Sequence, residues 1–460
     1  MHTEEIKSLL LKYNQAGPRY TSYPPANHFT TDFTSADYLK SVKSSDSNGN
    51  QSISLYFHIP FCSRICFFCG CTTNKLTAEE LVQQYINAVI KEFRYISSSI
   101  DKRREVTQIH FGGGTPNAID SLYLKQIIDS VKSELKLNSN AEIAIECNPA
   151  YLDKSDIDAL KSAGFNRFSL GIQDFNPEVL KVVNREQSKL PVKTLVDYIR
   201  DDGAASVNLD FIYGLPKQTV ESFLENMRMA AEIKPDRLVT FSYAHVPWVK
   251  KAQHILEKTG LPSADIKLEM LVEGYRYLTN NGYTAVGMDH YARPDDSLAI
   301  ALEEGTLHRN FQGYCTRETT GQVFAFGLSA ISQLWDSYAQ NTKDLRTYIE
   351  NIDGNKLAVE RGYRLNNEQI IVRAAINQLM CNMNINFNTF AAENSIDTDY
   401  LKRLLRFDIS NFTDFENDGL VKVSEDGIEV TRMGSFVVRN IAMAIDPFLE
   451  QREGMYSKTI

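Results

Sequence analysis

Residues 56–71 read YFHIPFCSRICFFCGC and hold four of the chain's seven cysteines. They lead directly out of the apolar run ISLYFH (53–58). Such a run, short and bounded by turn formers, is a strand signal. The cysteines therefore sit on the loop at a strand's end, spaced C-x-x-x-C-x-x-C-x-C. Beyond this loop the pattern repeats. Apolar runs at 106–111, 141–146, 166–173, 206–214 and 236–243 alternate with helical stretches near 78–100, 120–136 and 153–163, up to about 201, and near 218–233 and 263–281. Strands alternating with helices predict βαβ units and a parallel sheet. Six units suit an α/β fold built as a partial (β/α)6 barrel, with a doubly wound open sheet as the alternative.

The flanks differ from this core. Residues 1–50 carry GPRYTSYPPANHF and then the polar run KSSDSNGNQS, a loop signal. They are expected to extend over the site. The barrel is expected over 51–290 and a connecting region lining the site over 291–359. A mostly helical C-terminal domain is expected over 360–460. Within the last, VKV and IEV around SEDG predict a hairpin and a winged-helix-like shape.

The chain has 460 residues, 43% of them hydrophobic, and a formal charge of -9. That charge argues against whole-surface nucleic-acid binding, and 401–445 mixes acids with bases without a basic stripe. A structural or lid role for the C-terminal domain is the stronger reading. The opening MHTEEIKSLL is not a secretory signal, and no stretch reaches the roughly 18 apolar residues of a membrane span. A cytoplasmic monomer is expected. In that compartment clustered thiols bind metal or do redox chemistry more often than they form structural disulfides.

Zinc, iron–sulfur and disulfide chemistry all use thiolates. Structural zinc takes four ligands, commonly as two separated pairs, and no second pair follows here. A redox C-x-x-C needs no Cys62. Three thiolates on one loop can hold three irons of a four-iron cluster and leave the fourth open. Cys71 is then a fourth ligand or a neighbour. Cys147, Cys315 and Cys381 are scattered and read as buried apolar thiols.

C-x-x-x-C-x-x-C after a first barrel strand resembles the radical S-adenosylmethionine enzymes. HIPFC, CFFCGC, FGGGTPN, IECNP, GIQDFN, VNREQ, NLDFIYGLP, MDHYARPDD and HRNFQGY, with GPRYTSYP and VRNIAM, narrow this. Together they resemble the oxygen-independent coproporphyrinogen III oxidases from about residue 17 to 450. The resemblance implies a 4Fe–4S cluster on Cys62, Cys66 and Cys69, and two S-adenosylmethionine molecules. It places Tyr56, Gly113, Glu146 and Ile331 on the first molecule. Phe68, Gly114, Thr115, Gln173, Arg185, Asp210 and Ala244 fall on the second. One electron would cleave the first molecule to methionine and a 5'-deoxyadenosyl radical. Hydrogen abstraction from a propionate β-carbon, then loss of carbon dioxide and one electron, would leave a vinyl group. Two rounds would turn coproporphyrinogen III into protoporphyrinogen IX. An electron donor such as a flavodoxin or ferredoxin is implied. A haem-trafficking paralogue and a zinc-bound winged-helix regulator are the alternatives.

Coproporphyrinogen III carries four propionates, which need cationic or hydrogen-bonding partners when buried. Arg19, Tyr20, Tyr23, His290, Arg293, His308 and Arg309 are candidates, and so is Asn310. The chain departs from the family in reading RETTGQVFAFGLSAIS after HRNFQGYCT, with bulky Phe324 and Phe326, and in having Thr72 after CGC. These differences bear on the substrate wall; the cluster positions are intact.

Overall fold

Alternate residues along the predicted strands differ in polarity, and this sorts the two faces of one sheet. The computed structural model describes residues 3–46, 52–316 and 322–449. Its six central strands are β1 (Ser52–Ile59), β2 (Glu105–Gly113), β3 (Lys136–Cys147), β4 (Arg167–Gln173), β5 (Ser206–Tyr213) and β6 (Arg237–Ser242). They pair in that order, all parallel, and coincide with the six predicted runs. Leu55, Ile109, Ile143, Phe168, Leu209 and Leu238 point to one face and are buried under the helices. The opposite face carries Gln108, Glu142, Ser169, Asp210 and Arg237, and these line one cavity. A sheet whose polar face surrounds a single cavity is curled around it, as in a barrel.

The barrel is open. At the β6 edge β7 (Thr284–Val286) and β8 (His290–Ala292) add antiparallel strands. At the β1 edge β9 (Val323–Phe326) runs parallel to β1. It is followed by antiparallel β10 (Ile331–Gln333), β11 (Ser337–Asn341) and β12 (Val359–Arg364). The two ends of this twelve-stranded sheet do not pair with each other. Part of the stretch expected only as a connector thus supplies strands to the sheet. A four-residue apolar run such as VFAF is too short for periodicity to identify it.

Those strands also relocate the two phenylalanines. Phe324 and Phe326 are fully buried on the helix-facing side. Phe326 stacks on Phe57 with ring centroids 5.2 Å apart and meets Phe93 edge-on. They fill core and do not narrow the cavity. Residues 317–321 of the divergent segment lie outside the described residues.

The C-terminal part begins with the helix Asn367–Asn382. The predicted hairpin forms from Val421–Ser424 and Gly427–Val430, and Asn384–Asn386 adds a third strand. This unit is fastened to the N-terminal arm. Lys12 and the Tyr13 hydroxyl both donate to Asp418 at 2.6 Å. Arg439 donates to the Gly17 and Pro18 carbonyls, and Asn440 to that of Tyr13.

One buried acid pins the added strands to the barrel. Glu92, on the helix Glu79–Ser97, is 3% exposed. It accepts from the Gly327 amide (2.9 Å), Asn341 (2.7 Å) and the Tyr348 hydroxyl (2.7 Å). Burial pushes its carboxyl up to about 7 although all three partners favour the charged form. Between the ordinary value of 4.5 and about 7 the folded state holds a proton that the unfolded state has released. Glu92 therefore costs stability as pH rises through that window, and nothing further above it. Glu92→Gln sets an amide against three donors and should cost about 1–3 kcal/mol. In urea denaturation the gap to wild type should narrow as pH rises from 5 to 8. A gap that widens would contradict the assignment.

Candidate active site

The thiol loop is held by its own peptide groups. At its base Phe61–Cys62 pairs with Asn74–Lys75 in parallel. The Phe67 amide donates to Val183 O (3.0 Å), and Asn184 donates to Ile65 O (2.8 Å). Gln253 reaches Phe68 O (3.1 Å) and Lys250 reaches Cys71 O (2.7 Å). From the barrel side, His58 bonds Thr72 O at 2.9 Å. Thr72 takes part through its carbonyl, which a neighbouring residue type would supply equally well.

Cys62, Cys66, Cys69 and Cys71 all face a cavity of about 420 Å³ at the C-terminal ends of the parallel strands. Cys62 lies 3.3 Å from the Thr115 hydroxyl, and Arg185 Nη1 lies 3.8 Å from Cys66 Sγ. Burial pushes the Cys62 thiol up to about 11 and that of Cys66 upward. Cys69 goes the other way, down to about 6, chiefly because Cys71 donates to it. Among the described residues no three His, Cys, Asp or Glu side chains form a group that could hold a metal ion. All four thiols face one cavity, with Cys71 hydrogen-bonded to Cys69, and a cluster would be bound there through separate irons.

Beneath the loop the inner face is arranged in levels. The floor is paired: Gln108 donates to Glu142 (2.9 Å), Arg167 lies 3.4 Å from Glu142, and Arg237 bonds Asp296 at 2.8 and 2.9 Å. Above it Asp210 accepts from Ser169 (2.6 Å) and Asn208 (2.8 Å), and burial raises its carboxyl. A carboxylate buried within an apolar run needs partners, and for Asp210 these two hydrogen bonds supply them, with no salt bridge among the described residues. Glu146 bonds His110 (3.1 Å) and the Gly113 amide (3.2 Å). Desolvation pushes Glu146 up, but His110 and that amide outweigh it and hold it below the ordinary range. Gly113 has φ +110°, and a Cβ there would fall 2.4 Å from the His58 ring. Only glycine fits this approach.

Among the described residues the buried polar atoms without a partner at this site include Arg185 Nε, Gln108 Oε1, Asn208 Oδ1 and Gln312 Nε2. An unpaired buried polar group costs about 1–3 kcal/mol, so a ligand that supplies partners is stabilised here.

Of the predicted contacts, Phe68, Gly113, Gly114, Thr115, Glu146, Gln173, Arg185, Asp210 and His290 line the cavity. Tyr56 lies three residues before the end of β1, with its ring stacked on His110 and its hydroxyl 3.2 Å from His58 Nδ1. Ala244 follows β6, and its carbonyl accepts from Gln253. Ile331 packs with Phe29, Tyr338 and Leu365.

The substrate candidates divide. Tyr20 and Tyr23 both donate to Asp446 (2.9 and 2.6 Å). Arg309, 7% exposed, donates to Arg19 O (2.8 Å), lies over the Tyr314 ring, and leaves Nε unpartnered. Arg293 does not belong to the site. β8 runs antiparallel to β6, so Ala292 stands opposite Arg237 at the start of β6, and Arg293 falls at the opposite end of the barrel, paired with Asp295. His308 faces a separate cavity of about 880 Å³ with Trp335, Ile370 and Asn377. Alternation along the strand Leu307–Asn310 puts His308 and Arg309 on opposite sides.

Two groups escaped sequence reasoning. His58 and His110 were legible as polar residues alternating with apolar ones on β1 and β2. Lys267 and Arg439 were not, because only the fold brings them to Arg19 and Arg309. Lys267 donates to Tyr243 O (3.0 Å); burial and Arg19 push its ammonium down. Burial, Arg19 and Arg309 push Arg439 down to about 9.

Residues 56–230 match the radical SAM superfamily. The chain is 41% identical over 448 residues to the oxygen-independent coproporphyrinogen III oxidase of Salmonella typhimurium, covering 97% of this chain and 96% of that one. It is 39% identical to the enzyme of that name from Synechocystis, over 98% and 97%. The structure of coproporphyrinogen III oxidase from Escherichia coli, a radical SAM enzyme, matches with TM-score 0.87 at 38% identity. That match covers 96% of this chain and 99% of the other.

The floor's electrostatics are testable on the folded chain. Arg237 and Asp296 are both nearly inaccessible, with side chains 10% and 8% exposed. Asp296→Ala strips a buried guanidinium of its partner and should cost about 3–5 kcal/mol in urea denaturation. A cost below about 1 kcal/mol would show that the floor is solvated.

Proposed function

The chain belongs to the oxygen-independent coproporphyrinogen III oxidases of the radical SAM superfamily, and we propose that its chemistry takes place in the cavity beneath the thiol loop. The reaction converts two propionates of coproporphyrinogen III to vinyl groups, giving protoporphyrinogen IX without oxygen. A 4Fe–4S cluster and S-adenosylmethionine supply, when bound, the radical that removes hydrogen. The haem-trafficking alternative is not favoured, because the relatives matched over nearly their full length are named as oxidases.

Cys62, Cys66 and Cys69, as thiolates, hold the cluster. The Arg185 guanidinium beside Cys66 offsets their charge. Gly113 presents its backbone to the first S-adenosylmethionine, and Glu146, kept ionised by His110, accepts from that cofactor's ammonium. A second molecule would rest on Phe68, Thr115, Gln173, Arg185 and Asp210, which line the cavity. The unpartnered atoms on Arg185 and Asn208 support this, since a polar ligand would satisfy them. The paired floor keeps water from entering from below.

Arg19, Lys267, Arg309 and Arg439, which act on one another electrostatically, would receive propionates. Asp289, bonded to His290 at 2.6 Å, lies among them. The observation that carries this reading is the Arg309 guanidinium, buried against the Tyr314 ring with no carboxylate within ion-pair distance among the described residues. Such a charge is costly alone and favours an anion beside it.

The test is anaerobic turnover of coproporphyrinogen III with S-adenosylmethionine and dithionite. Wild type should form vinyl product. Arg309→Gln should raise KM for coproporphyrinogen about 10-fold or more, the loss of a charge-assisted hydrogen bond, with cluster content unchanged. A cluster-replete wild type without vinyl product would overturn the reading. An unchanged KM would remove Arg309 from the propionate site.

A further inference from the structure

The surface beside the thiol loop differs from the rest of the chain. Trp248 is 77% exposed and Val249 65% exposed. They occupy a turn after β6 that grips the loop through Lys250 and Gln253. Cys71, on the loop, is itself exposed. Burying a large apolar side chain is worth about 1.5–3 kcal/mol, so this pair is costly to leave in water. Tryptophan is enriched at the centres of protein interfaces.

Cations follow these two residues in sequence, and others lie within electrostatic reach of Lys250. Lys250 acts electrostatically on Cys69, Cys71 and Lys343, and Arg361 acts on Lys343. Lys251 follows Lys250 in sequence and is exposed. Among the described residues none of Lys250, Lys251, Lys343 and Arg361 is ion-paired with a carboxylate. Lysines elsewhere are, as in Lys12–Asp418, Lys189–Asp153 and Lys217–Glu178. Glu360 is the carboxylate whose field reaches this group. A positive apolar-centred patch on a chain of net charge -9 marks a surface selected for an acidic partner.

We propose that this face docks a small acidic one-electron carrier protein, seated on Trp248 and Val249 and steered by Lys250, Lys251, Lys343 and Arg361. The inference rests on the reading that Cys62, Cys66 and Cys69 hold the cluster. An electron must reach that cluster, and at Gly70 and Cys71 its loop meets solvent beside this turn. In the transfer the carrier's reduced cofactor loses one electron and the cluster gains it; no bond or proton changes hands.

The probe is flavodoxin, an acidic protein carrying flavin mononucleotide, with the cluster-loaded full chain. Binding is measured by calorimetry, and S-adenosylmethionine cleavage with reduced flavodoxin or with dithionite. Wild type should bind, with affinity falling as salt is raised. Trp248→Ala with Lys251→Glu and Lys343→Glu should weaken binding at least 10-fold. It should slow flavodoxin-driven cleavage in step and leave dithionite-driven cleavage unchanged. Lys193→Glu, on a distant helix, should do neither. Undetectable binding to wild type, equal binding to the triple variant, or equal weakening by Lys193→Glu would each overturn the proposal. If dithionite supports no cleavage in wild type, the proposed function fails instead, and the binding measurement still decides the docking.

Discussion

Charge buried inside the barrel has to be partnered, and that requirement organises the rest of the structure. The inner face of the parallel sheet is polar, although both of its faces lie inside the protein. An unpaired ion there costs several kcal/mol. At the floor the demand is met internally, by Gln108, Glu142 and Arg167 and by Arg237 with Asp296. One level up, Asp210 and Glu146 are held by Ser169, Asn208 and His110. Beside the thiols Arg185 Nε is left over, and further down the inner face Asn208 Oδ1 and Gln108 Oε1 are left over as well. The site is thus the part of a polar interior that the chain does not satisfy by itself.

The same logic extends to the mouth. Arg309 and Arg439 are each 7% exposed and donate to carbonyls of the N-terminal arm. Those bonds fasten the arm to two guanidinium groups whose fields reach Asp289. The C-terminal unit, which supplies Arg439 and Asp446, is thus joined to the arm.

Much of this was legible in the sequence. All six parallel strands and the helices between them followed from alternation, because each strand runs long enough to show its period. The thiol loop, Glu146, Gln173 and Arg185 were placed by motif and reach the cavity. Where the reading fell short, the reason was distance along the chain. β9 is four residues long, and its pairing with β1 joins residues about 270 apart. Arg293 was drawn to the site by its neighbour His290, yet β8 is antiparallel to β6 and carries the two to different levels. Phe324 and Phe326 suggested a narrowed wall until the register put them under the helix Glu79–Ser97. Lys267 bears no motif, and Arg439 stands in VRNIAM without a role of its own; their meaning comes from the groups the fold sets beside them.

The central claim is that three thiolates of the loop hold the cluster and that Cys71, at its exposed edge, does not. Iron content and the low-temperature electron paramagnetic resonance of the reduced cluster, after anaerobic reconstitution, test it most directly. Cys71→Ser should match wild type in iron per chain and in the spectral change on adding S-adenosylmethionine. Cys69→Ser should lose iron and that response together. A Cys71→Ser protein that loses iron, or a Cys69→Ser protein that keeps it all, would contradict the account.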